Sequence, residues 1–398
     1  MSYNPGRGQG RRRAFHSAPR NNNRNNRKAQ KAYINPSRFI QEAKLVEEAP
    51  YKPTHGFLDF DIEPLLHKNI EAKGIMVPSP IQDQAIPVGL EGKDIVGIAN
   101  TGTGKTLAFA IPVLNKLLQD PSSYALIMAP TRELAQQIED ECRAIARRSG
   151  IYGALLIGGT AMGPQFGDLR FNPQIVIGTP GRIKDHIERG TLDVSKFNMV
   201  VLDEVDRMLD MGFVHDMREI LGQLATPRQS FFFSATLDSK VKTLIHTFLD
   251  NPITISVKTG ETSANVEQNI VQYRSRDEKI EKLHDILITA NVSKALVFDE
   301  TQRSVERLSN ELQSRGFNVD AIHGGKSQGQ RQRALNRFKK SEITILVATD
   351  VAARGIDVAD ITHVVNYATP QSYEDYVHRI GRAGRAGRKG HALTFVES

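Results

Sequence analysis

The chain has 398 residues, 39% of them hydrophobic and 24% charged, and a formal net charge of +7. This length predicts two domains, and the composition is typical of a globular protein. No apolar run reaches the roughly 18–20 residues of a membrane helix, and the N-terminus lacks the apolar stretch of a secretory signal. Cys142 is the only cysteine, which excludes an intrachain disulfide and a cysteine-based metal cluster. We therefore expect a cytoplasmic protein without a membrane partner.

The positive charge lies in an N-terminal tail. Residues 1–40 contain ten of the 52 Lys and Arg residues and none of the 45 Asp and Glu residues, which leaves 42 basic and 45 acidic residues elsewhere. The tail is rich in Arg, Asn, Gly and Gln and poor in apolar residues, so we predict disorder over residues 1–50. A disordered cationic arm attracts phosphate backbones without sequence preference. The alternatives are a solubilising extension without a partner and an organelle transit peptide.

From Phe57 onward, short apolar runs alternate with helical stretches. This alternation indicates a parallel sheet covered by helices, which we assign to residues 51–252. The next residues, 253–268, are polar and are predicted to form an interdomain linker. The predicted strands are 95–98, 125–129, 154–157, 175–177, 199–202 and 231–233, and the predicted helices are 107–118, 132–148, 182–188 and 240–249.

A glycine-rich loop follows the first predicted strand. Gly102 and Gly104 break the strand, and Lys105 and Thr106 precede a helix. In this context the backbone N–H groups converge on one point, the helix start adds partial positive charge, and the lysine adds a full one. The threonine can place its hydroxyl on Mg²⁺. The spacing predicts a nucleotide phosphate site, although the strict pattern has Gly where this chain has Ala99.

Two acidic residues follow the predicted strand 199–202. Ligands of parallel α/β sheets bind at the C-terminal ends of the strands, where Asp203 lies. Hydrolysis of a triphosphate requires a carboxylate that holds Mg²⁺ and a group that orients water. We predict that Asp203 holds the metal and that Glu204 polarises the attacking water. Alone, Asp-Glu-Val-Asp is a common surface tetrapeptide, and its place downstream of a phosphate loop supports the functional interpretation.

A second alternating block follows the predicted linker. It contains no second Gly-Lys-Thr loop, so we predict two α/β domains, the second over residues 269–398, with one nucleotide loop. The predicted strands are 295–298, 319–322, 343–348 and 363–366, and the predicted helices are 302–314, 328–340 and 373–379.

Residues 203–206 downstream of residues 99–106 resemble motifs II and I of the DEAD-box RNA helicases. The similarity extends from about Phe57 to Phe395. It implies an α/β fold with two tandem RecA-like domains, each a mostly parallel sheet flanked by helices, behind a disordered basic tail. Val205 replaces the family's usual alanine, and the aspartate at position 206 favours this family over the DEAH-type relatives.

The resemblance implies that the nucleotide is ATP. Residues 74–82 resemble the Q motif, in which Gln82 reads the adenine edge and Phe57 stacks on its face. Asp357 is similar to the carboxylate that meets the ribose, and Arg382 and Arg385 are similar to the arginine fingers on the γ-phosphate. The implied ATP-binding residues are Phe57, Gln82, Ala99, Thr101, Gly102, Thr103, Gly104, Lys105, Thr106 and Asp357. The implied catalytic residues are Lys105, Asp203, Glu204, Arg382 and Arg385, with Mg²⁺ on Thr106 and Asp203.

Further motifs resemble the RNA-facing and coupling elements of the family. Arginines and backbone N–H groups at helix starts are natural ligands of nucleic-acid phosphates. At Thr179, which precedes a proline, helix capping is a second interpretation. The implied RNA-binding residues are Pro130, Thr131, Arg132, Gly158, Gly159, Thr179, Arg182, Gln328, Arg331 and Thr349. The implied coupling residues are Asp206, Ser234, Thr236, His378 and Arg379.

The resemblance implies an ATP-dependent RNA helicase that closes around ATP and RNA and locally unwinds short duplexes. An ATP-gated RNA clamp with little unwinding requires the same motifs, and a DNA helicase is a third interpretation, since discrimination rests on contacts to 2′-OH groups. The implied partners are RNA, held by its backbone, and proteins of an RNA-processing or decay assembly. Because the chain ends eight residues after Gly390, we expect no appended RNA-binding domain.

Overall fold

The computed structural model describes residues 1, 34–43, 51–100, 102–257, 265–289, 292–353, 358, 360–384 and 388–398. The disorder predicted for residues 2–33 and 44–50 concerns residues outside these ranges. In the first half of the chain, a 3₁₀ turn (Phe57–Asp59) precedes the regular elements. These are α1 (Pro64–Ala72), α2 (Pro80–Leu90), β1 (Ile95–Ile98), α3 (Lys105–Gln119), β2 (Ala125–Met128), α4 (Arg132–Ile145), β3 (Gly153–Leu156), α5 (Met162–Arg170), β4 (Ile175–Gly178), α6 (Pro180–Glu188), β5 (Met199–Leu202), α7 (Val205–Asp210), α8 (Val214–Gln223), β6 (Gln229–Ser234), α9 (Ser239–Phe248) and β7 (Ile253–Ser256).

The second half forms another set of strands and helices. They are β8 (Val266–Tyr273), α10 (Arg276–Leu287), β9 (Ala295–Phe298), α11 (Gln302–Ser314), β10 (Val319–Ile322), α12 (Gln328–Lys339), β11 (Ile345–Ala348), α13 (Asp350–Ala353), β12 (His363–Asn366), α14 (Tyr373–Ile380) and β13 (Gly390–Glu397). Among the described residues, no helix combines the length and the apolar character needed to span a bilayer.

The strands form two parallel sheets. The first has the order β3-β4-β2-β5-β6-β1-β7, and the second has the order β10-β11-β9-β12-β13-β8. In the first sheet β6 lies between β1 and β5, with Ile95 opposite Phe231 and Met199 opposite Gln229. The loop after β1 and the acidic residues after β5 therefore lie at the same edge, on either side of the end of β6. The predicted fold class is confirmed.

Buried aromatic residues on β6 tie helices to both faces of the first sheet. Phe231 and Phe233 belong to the core on one face, whereas Phe232 belongs to the core on the other. The ring of Phe109 on α3 lies 5.5 Å from that of Phe233. Each fully buried ring contributes roughly 1.5–3 kcal/mol. This packing fixes α3, and hence the phosphate loop at its start, against the sheet.

The predicted linker 253–268 needs correction at both ends. Ile253–Ser256 form edge strand β7, paired with β1, and residues 266–268 begin β8. The middle, residues 258–264, lies outside the described residues. Polar composition was misleading here, because in β7 only Ile255 is buried. An edge strand needs few apolar residues. The domain boundaries stay a prediction.

The predicted disorder of residues 1–50 is wrong for residues 34–43. Pro36–Phe39 form a 3₁₀ turn, and Gln41 pairs with Gln268 of β8. Phe39 is fully buried against residues of the second half. Composition could not show this, because the apolar partners of Phe39 lie more than two hundred residues downstream.

Candidate active site

The loop between β1 and α3 places Lys105 beside Asp203. Gly102 and Gly104 have φ angles of 81° and 89°, in the left-handed region that favours glycine. The Lys105 Nζ donates a 3.0 Å hydrogen bond to the Ala99 carbonyl and lies 3.9 Å from the Asp203 Oδ1, and both side chains are buried. The loop thus presents a buried cation at the start of a helix, as a phosphate site requires.

Two other predicted residues of the loop, Thr103 and Thr106, have described positions. The Thr103 hydroxyl donates a 2.9 Å hydrogen bond to the Asn100 carbonyl, and Thr106 is half-buried in the first turn of α3. Thr101 lies outside the described residues. The side chains of Thr103 and Lys105 thus both bond to carbonyls at the end of β1.

The structure brings Gln82 against the phosphate loop. Its Nε2 donates to the Gly104 carbonyl at 2.9 Å, and its Oε1 accepts from the Ser79 backbone N–H at 2.9 Å. A Cβ at position 104 would lie 2.5 Å from the Gln82 Nε2, so only glycine permits this approach. Phe57 is only 5% exposed and packs edge-on against Phe60, with centroids 5.8 Å apart. Adenine recognition by Gln82 and Phe57 stays a prediction.

Asp83, which the sequence analysis missed, anchors the segment that leads to Phe57. Its buried carboxylate accepts hydrogen bonds from the Tyr51 hydroxyl at 2.5 Å, the Thr54 N–H at 2.8 Å and the His55 N–H at 3.0 Å. The His55 Nδ1 lies 2.7 Å from the same carboxylate. A buried acid next to Gln82 is a weak sequence signal, and its partners are about thirty residues upstream. The segment before the Q motif is therefore pinned to α2.

Asp203 and Glu204 lie at the carboxyl end of β5 with opposite pKa shifts. Burial raises the pKa of Asp203 to about 6, against the opposing effect of the Lys105 ammonium. Burial also tends to raise the pKa of Glu204, but the charges of Arg207, Lys105 and Arg382 lower it to about 2. Glu204 is therefore ionised at neutral pH. Its Oε2 accepts from the Arg207 Nη1 at 2.5 Å.

The backbone at Glu204 is strained. Its φ of 54° is in the left-handed region, where a non-glycine residue costs of order 1–3 kcal/mol. Its N–H donates to the Asp203 Oδ1 at 3.0 Å. Such strain persists where the surroundings impose it and is concentrated at functional sites.

Asp206 connects this edge to the end of β6. Its Oδ2 accepts from the backbone N–H groups of Ala235 and Thr236, at 2.9 and 3.0 Å, and from the Thr236 hydroxyl at 3.2 Å. Its own N–H donates to the Ser234 hydroxyl at 3.4 Å. The structure therefore brings together three of the predicted coupling residues.

Residues of the second half reach the same acidic edge. Burial lowers the pKa of His378, the charge of Arg207 adds to this effect, and the charge of Asp206 opposes it. Arg382 is 4% exposed, and its charge acts on Glu204. Arg385 and Asp357 lie outside the described residues. Of the two predicted arginine fingers, the described one is buried beside the acidic pair.

Arg379 on α14 joins this helix to α13 and to the segment after β12. Its Nε and Nη2 donate to the Asp350 carboxylate at 2.5 and 2.7 Å, and its Nη1 donates to the Ala368 carbonyl at 2.7 Å. A bidentate arginine–carboxylate pair fixes orientation as well as charge. The coupling role predicted for Arg379 would therefore act through α14 and α13.

Thr131 and Arg132, two of the predicted RNA-facing residues of the first half, lie at the start of α4. The Arg132 guanidinium lies against the backbone of Gly158 and Gly159, where a Cβ at Gly159 would be 1.9 Å from its Nη1. The Thr131 hydroxyl caps α4 by accepting from the Leu134 N–H at 3.3 Å.

The other predicted RNA-facing residues are buried or tied to backbone. Thr179 is the N-cap residue of α6, as the capping interpretation expects, although its side chain makes no capping hydrogen bond. The Arg182 Nη1 donates to the Thr160 carbonyl at 3.3 Å. Pro130 and Thr349 are buried. Their RNA-binding roles stay predictions.

Gln328 and Arg331 on α12 contact Glu133 on α4. The Arg331 Nη2 lies 2.7 Å from the Glu133 Oε2, and the Gln328 Nε2 donates to the Oε1 at 3.5 Å. Glu133 is 1% and Arg331 6% exposed. Burial raises the pKa of Glu133, and Arg331 opposes the rise. The structure thus uses these two residues in a contact between the halves, which the sequence analysis missed, and their RNA-facing role stays a prediction.

Among the described residues, no group of three or more His, Cys, Asp or Glu side chains is arranged as a metal site.

Comparison with known proteins gives two family matches. Residues 79–244 match the family described as DEAD/DEAH box helicase, and residues 278–387 match the helicase conserved C-terminal domain. The ATP-dependent RNA helicase CshA of Listeria monocytogenes is 43% identical over 343 residues, which are 86% of this chain and 66% of that protein. The DEAD-box ATP-dependent RNA helicase CshA of Bacillus subtilis is 42% identical over 345 residues, covering 86% and 70%. The chain spans about two thirds of the length of these relatives.

Two solved structures resemble most of the chain. Saccharomyces cerevisiae Dbp5 bound to RNA and ADP BeF3 aligns with a TM-score of 0.76 at 29% identity, covering 86% of this chain and 89% of that one. Mss116p bound to ssRNA and AMP-PNP aligns with a TM-score of 0.76 at 30% identity, covering 85% and 73%. Both similarities extend over the two sheets.

Proposed function

Because the chain belongs to the DEAD-box family of ATP-dependent RNA helicases, we propose that it binds ATP and RNA between its two halves and unwinds short duplexes locally. One observation carries the proposal. The charge of Arg382, which belongs to the second half, acts on Glu204 of the first half, and Arg382 lines a cavity together with Arg207, the ion-pair partner of Glu204. Hydrolysis would then require both halves.

The first half would bind the nucleotide. The Lys105 ammonium would move from the Ala99 carbonyl to the phosphates, and the backbone N–H groups after Gly102 would surround them. Gln82, already hydrogen-bonded to the loop, would read the adenine edge. Such polar readout would favour ATP over GTP, since an unmatched base leaves buried polar groups unpaired.

The acidic pair suits Mg²⁺ by its chemistry. Mg²⁺ binds oxygen ligands, typically one or two carboxylates together with substrate phosphates and water. Asp203 offers a buried carboxylate and Thr106 a hydroxyl at the helix start. These two residues would hold Mg²⁺, which when bound neutralises the charge developing on the phosphates.

Glu204 would orient the attacking water. Its low pKa keeps it an acceptor at neutral pH. Arg207, which now binds the carboxylate, would have to share it with water. Arg382 would stabilise the charge on the transferred phosphoryl group, a role worth roughly 10³–10⁵ in rate.

RNA would act on this site through Asp206. The hydrogen bonds from Ala235 and Thr236 join the acidic edge to β6, and the charge of Asp206 acts on His378 of the second half. RNA bound across both halves would favour the arrangement that ATP also favours. By linkage, each ligand then strengthens the binding of the other.

The test is the substitution Glu204→Gln, with exposed Glu71→Gln as the matched control. We expect the variant to bind ATP and RNA but to lose RNA-stimulated turnover by at least about 10²-fold, the scale of a catalytic base. The control should match the wild-type chain. Normal turnover in the Glu204 variant would remove this residue from its assigned role.

Strand displacement measured beside ATPase separates the related functions. Tight ATP-dependent RNA binding with negligible displacement would replace the proposal by an RNA clamp, and equal stimulation by DNA of the same sequence would replace RNA by either nucleic acid. The cytoplasmic location and the protein partners in an RNA-processing or decay assembly stay predictions.

A further inference from the structure

Phe39 is the centre of an apolar contact on the second half of the molecule. It is 0% exposed, and its ring lies 4.7 Å from that of Tyr376 on α14, tilted by 55°. Val266, Ile380 and Ala392 complete the buried cluster. This contact joins residues that lie before the Q motif to the helix that precedes Arg382.

Polar contacts hold the same segment, residues 34–41, which we call the N-terminal strap. Gln41 exchanges two backbone hydrogen bonds with Gln268, at 3.0 and 2.8 Å. This pairing extends the sheet beyond β8, its edge strand. The Gln268 side chain also accepts from the Tyr376 hydroxyl at 2.8 Å and donates to the Gln41 Oε1 at 3.2 Å. The guanidinium of Arg38 lies 3.8 Å from the Tyr373 ring centroid.

The strap contacts one face of α14, and the active-site residues lie on the other. Tyr376 and Ile380 are four residues apart, so they share the face towards Phe39. His378 and Arg382 line a cavity together with Arg207 of the first half, and Arg382 lies two residues beyond the C-terminal end of α14. A shift of α14 towards the strap would therefore carry Arg382 away from Glu204.

We propose that the N-terminal strap positions α14 for hydrolysis and that Phe39 is a positioning residue, acting through Tyr376 and Ile380 on Arg382. The inference rests on the proposed function, because it assumes that Arg382 completes the ATP site. Phe39 is fully buried against residues of the second half, so it would act through these residues. Its effect falls on the rate of the chemical step, whereas ATP is bound by the first half.

The magnitude follows from geometry. Truncating a fully buried phenylalanine leaves a cavity under α14, because the surroundings relax only partly. A misplacement of about 1 Å at a reacting group can cost about 10²-fold in rate. We therefore expect Phe39→Ala to lower the RNA-stimulated kcat by about 10- to 100-fold. The KM for ATP should change less than about twofold, since Phe39 does not contribute to the binding energy that the ground state and the transition state share.

The experiment measures RNA-stimulated kcat and KM for four chains: wild type, Phe39→Ala, Phe39→Leu and Ile40→Ala. Ile40 is 53% exposed and is the matched control. We expect Phe39→Leu to recover most of the rate and Ile40→Ala to match wild type. An unchanged kcat in Phe39→Ala, or an equal loss in Ile40→Ala, overturns the proposal.

A second measurement separates a positioning effect of Phe39 from poor folding of the Phe39→Ala variant. Adding a peptide of residues 34–43 to the full-length Phe39→Ala chain should raise its kcat towards the wild-type value, whereas the same peptide carrying Phe39→Ala should not. Equal rates with both peptides would refute the proposed role of the N-terminal strap. If the wild-type chain shows no RNA-stimulated ATPase, the proposed function itself fails, which is a distinct result.

Discussion

Removing Arg331 should weaken ATP-dependent RNA binding through the buried carboxylate of Glu133. The two side chains are 6% and 1% exposed and join α12 to α4 over 2.7 Å. In Arg331→Met, the glutamate would stay buried without its cation whenever these helices are in contact. The penalty would disappear when the halves separate. The variant should therefore favour separation.

The size of the penalty has two bounds. Removing one partner of a buried ion pair typically costs about 3–5 kcal/mol. Glu133 can instead take up a proton, which for an ordinary carboxyl at pH 7 costs about 3.7 kcal/mol, since one pKa unit is 1.36 kcal/mol. A penalty of about 3 kcal/mol corresponds to roughly 10²-fold in the population of the joined arrangement. We expect the Kd for RNA to rise by about that factor when an ATP analogue is present.

The assay is fluorescence anisotropy of a labelled single-stranded RNA, with and without a non-hydrolysable ATP analogue. The variants are Arg331→Met, Glu133→Gln and the pair together. The double variant should recover most of the affinity, because it removes the uncompensated charge. Lower pH should also reduce the deficit of Arg331→Met: burial raises the pKa of Glu133, so this carboxyl gains its proton as pH falls.

Failure of the rescue would refute this reasoning. If Arg331 acts instead by touching RNA, then neutralising Glu133 cannot restore the lost contact, and the double variant would stay as weak as the single one. A loss of affinity that is equal with and without nucleotide would contradict the account in the same way.

Further predictions concern packing, coupling and the tail. A Cβ at Gly97 would lie 2.4 Å from the Phe233 ring, so Gly97→Ala should lose about 1–3 kcal/mol in urea unfolding, whereas Gly163→Ala, with no neighbour within 4 Å, should change by less than about 1 kcal/mol. Asp206→Ala removes three hydrogen bonds to a carboxylate, each worth about 1.5–3 kcal/mol, and should lower RNA stimulation of the ATPase at least tenfold, with ATP affinity retained in a binding assay. Deleting residues 2–33 removes nine cations but keeps Phe39, so it should flatten the salt dependence of RNA binding and spare basal ATPase; an unchanged slope would contradict a role of the tail.

The sequence predicted the parts of the site that local pattern determines. A strand, two glycines and Gly-Lys-Thr before a helix leave few structural alternatives, and the acidic pair after an apolar strand must emerge at the carboxyl edge of the sheet. The structure indeed places Lys105 3.9 Å from Asp203. The short apolar runs also predicted those strands of both sheets that are buried on both faces.

Contacts between distant residues could not be predicted in this way. Glu133 belongs to a motif that predicts an RNA-facing role, and no neighbouring residue in the sequence indicates that Arg331 neutralises its charge. Phe39 lies in a segment whose composition predicts disorder, and its partners belong to β8, α14 and β13. Asp83 fixes a segment that has no periodic pattern. In each case the stabilising partner is set by the tertiary fold rather than by neighbours in sequence.

In the proposed mechanism, the Arg382 guanidinium of the second half completes the ATP site on the first half. Single-turnover hydrolysis with saturating RNA and ATP tests this in Arg382→Ala, with ATP affinity measured separately. We predict a rate lower by about 10³–10⁵-fold with ATP affinity within a few-fold of wild type. A loss of less than tenfold would contradict the account.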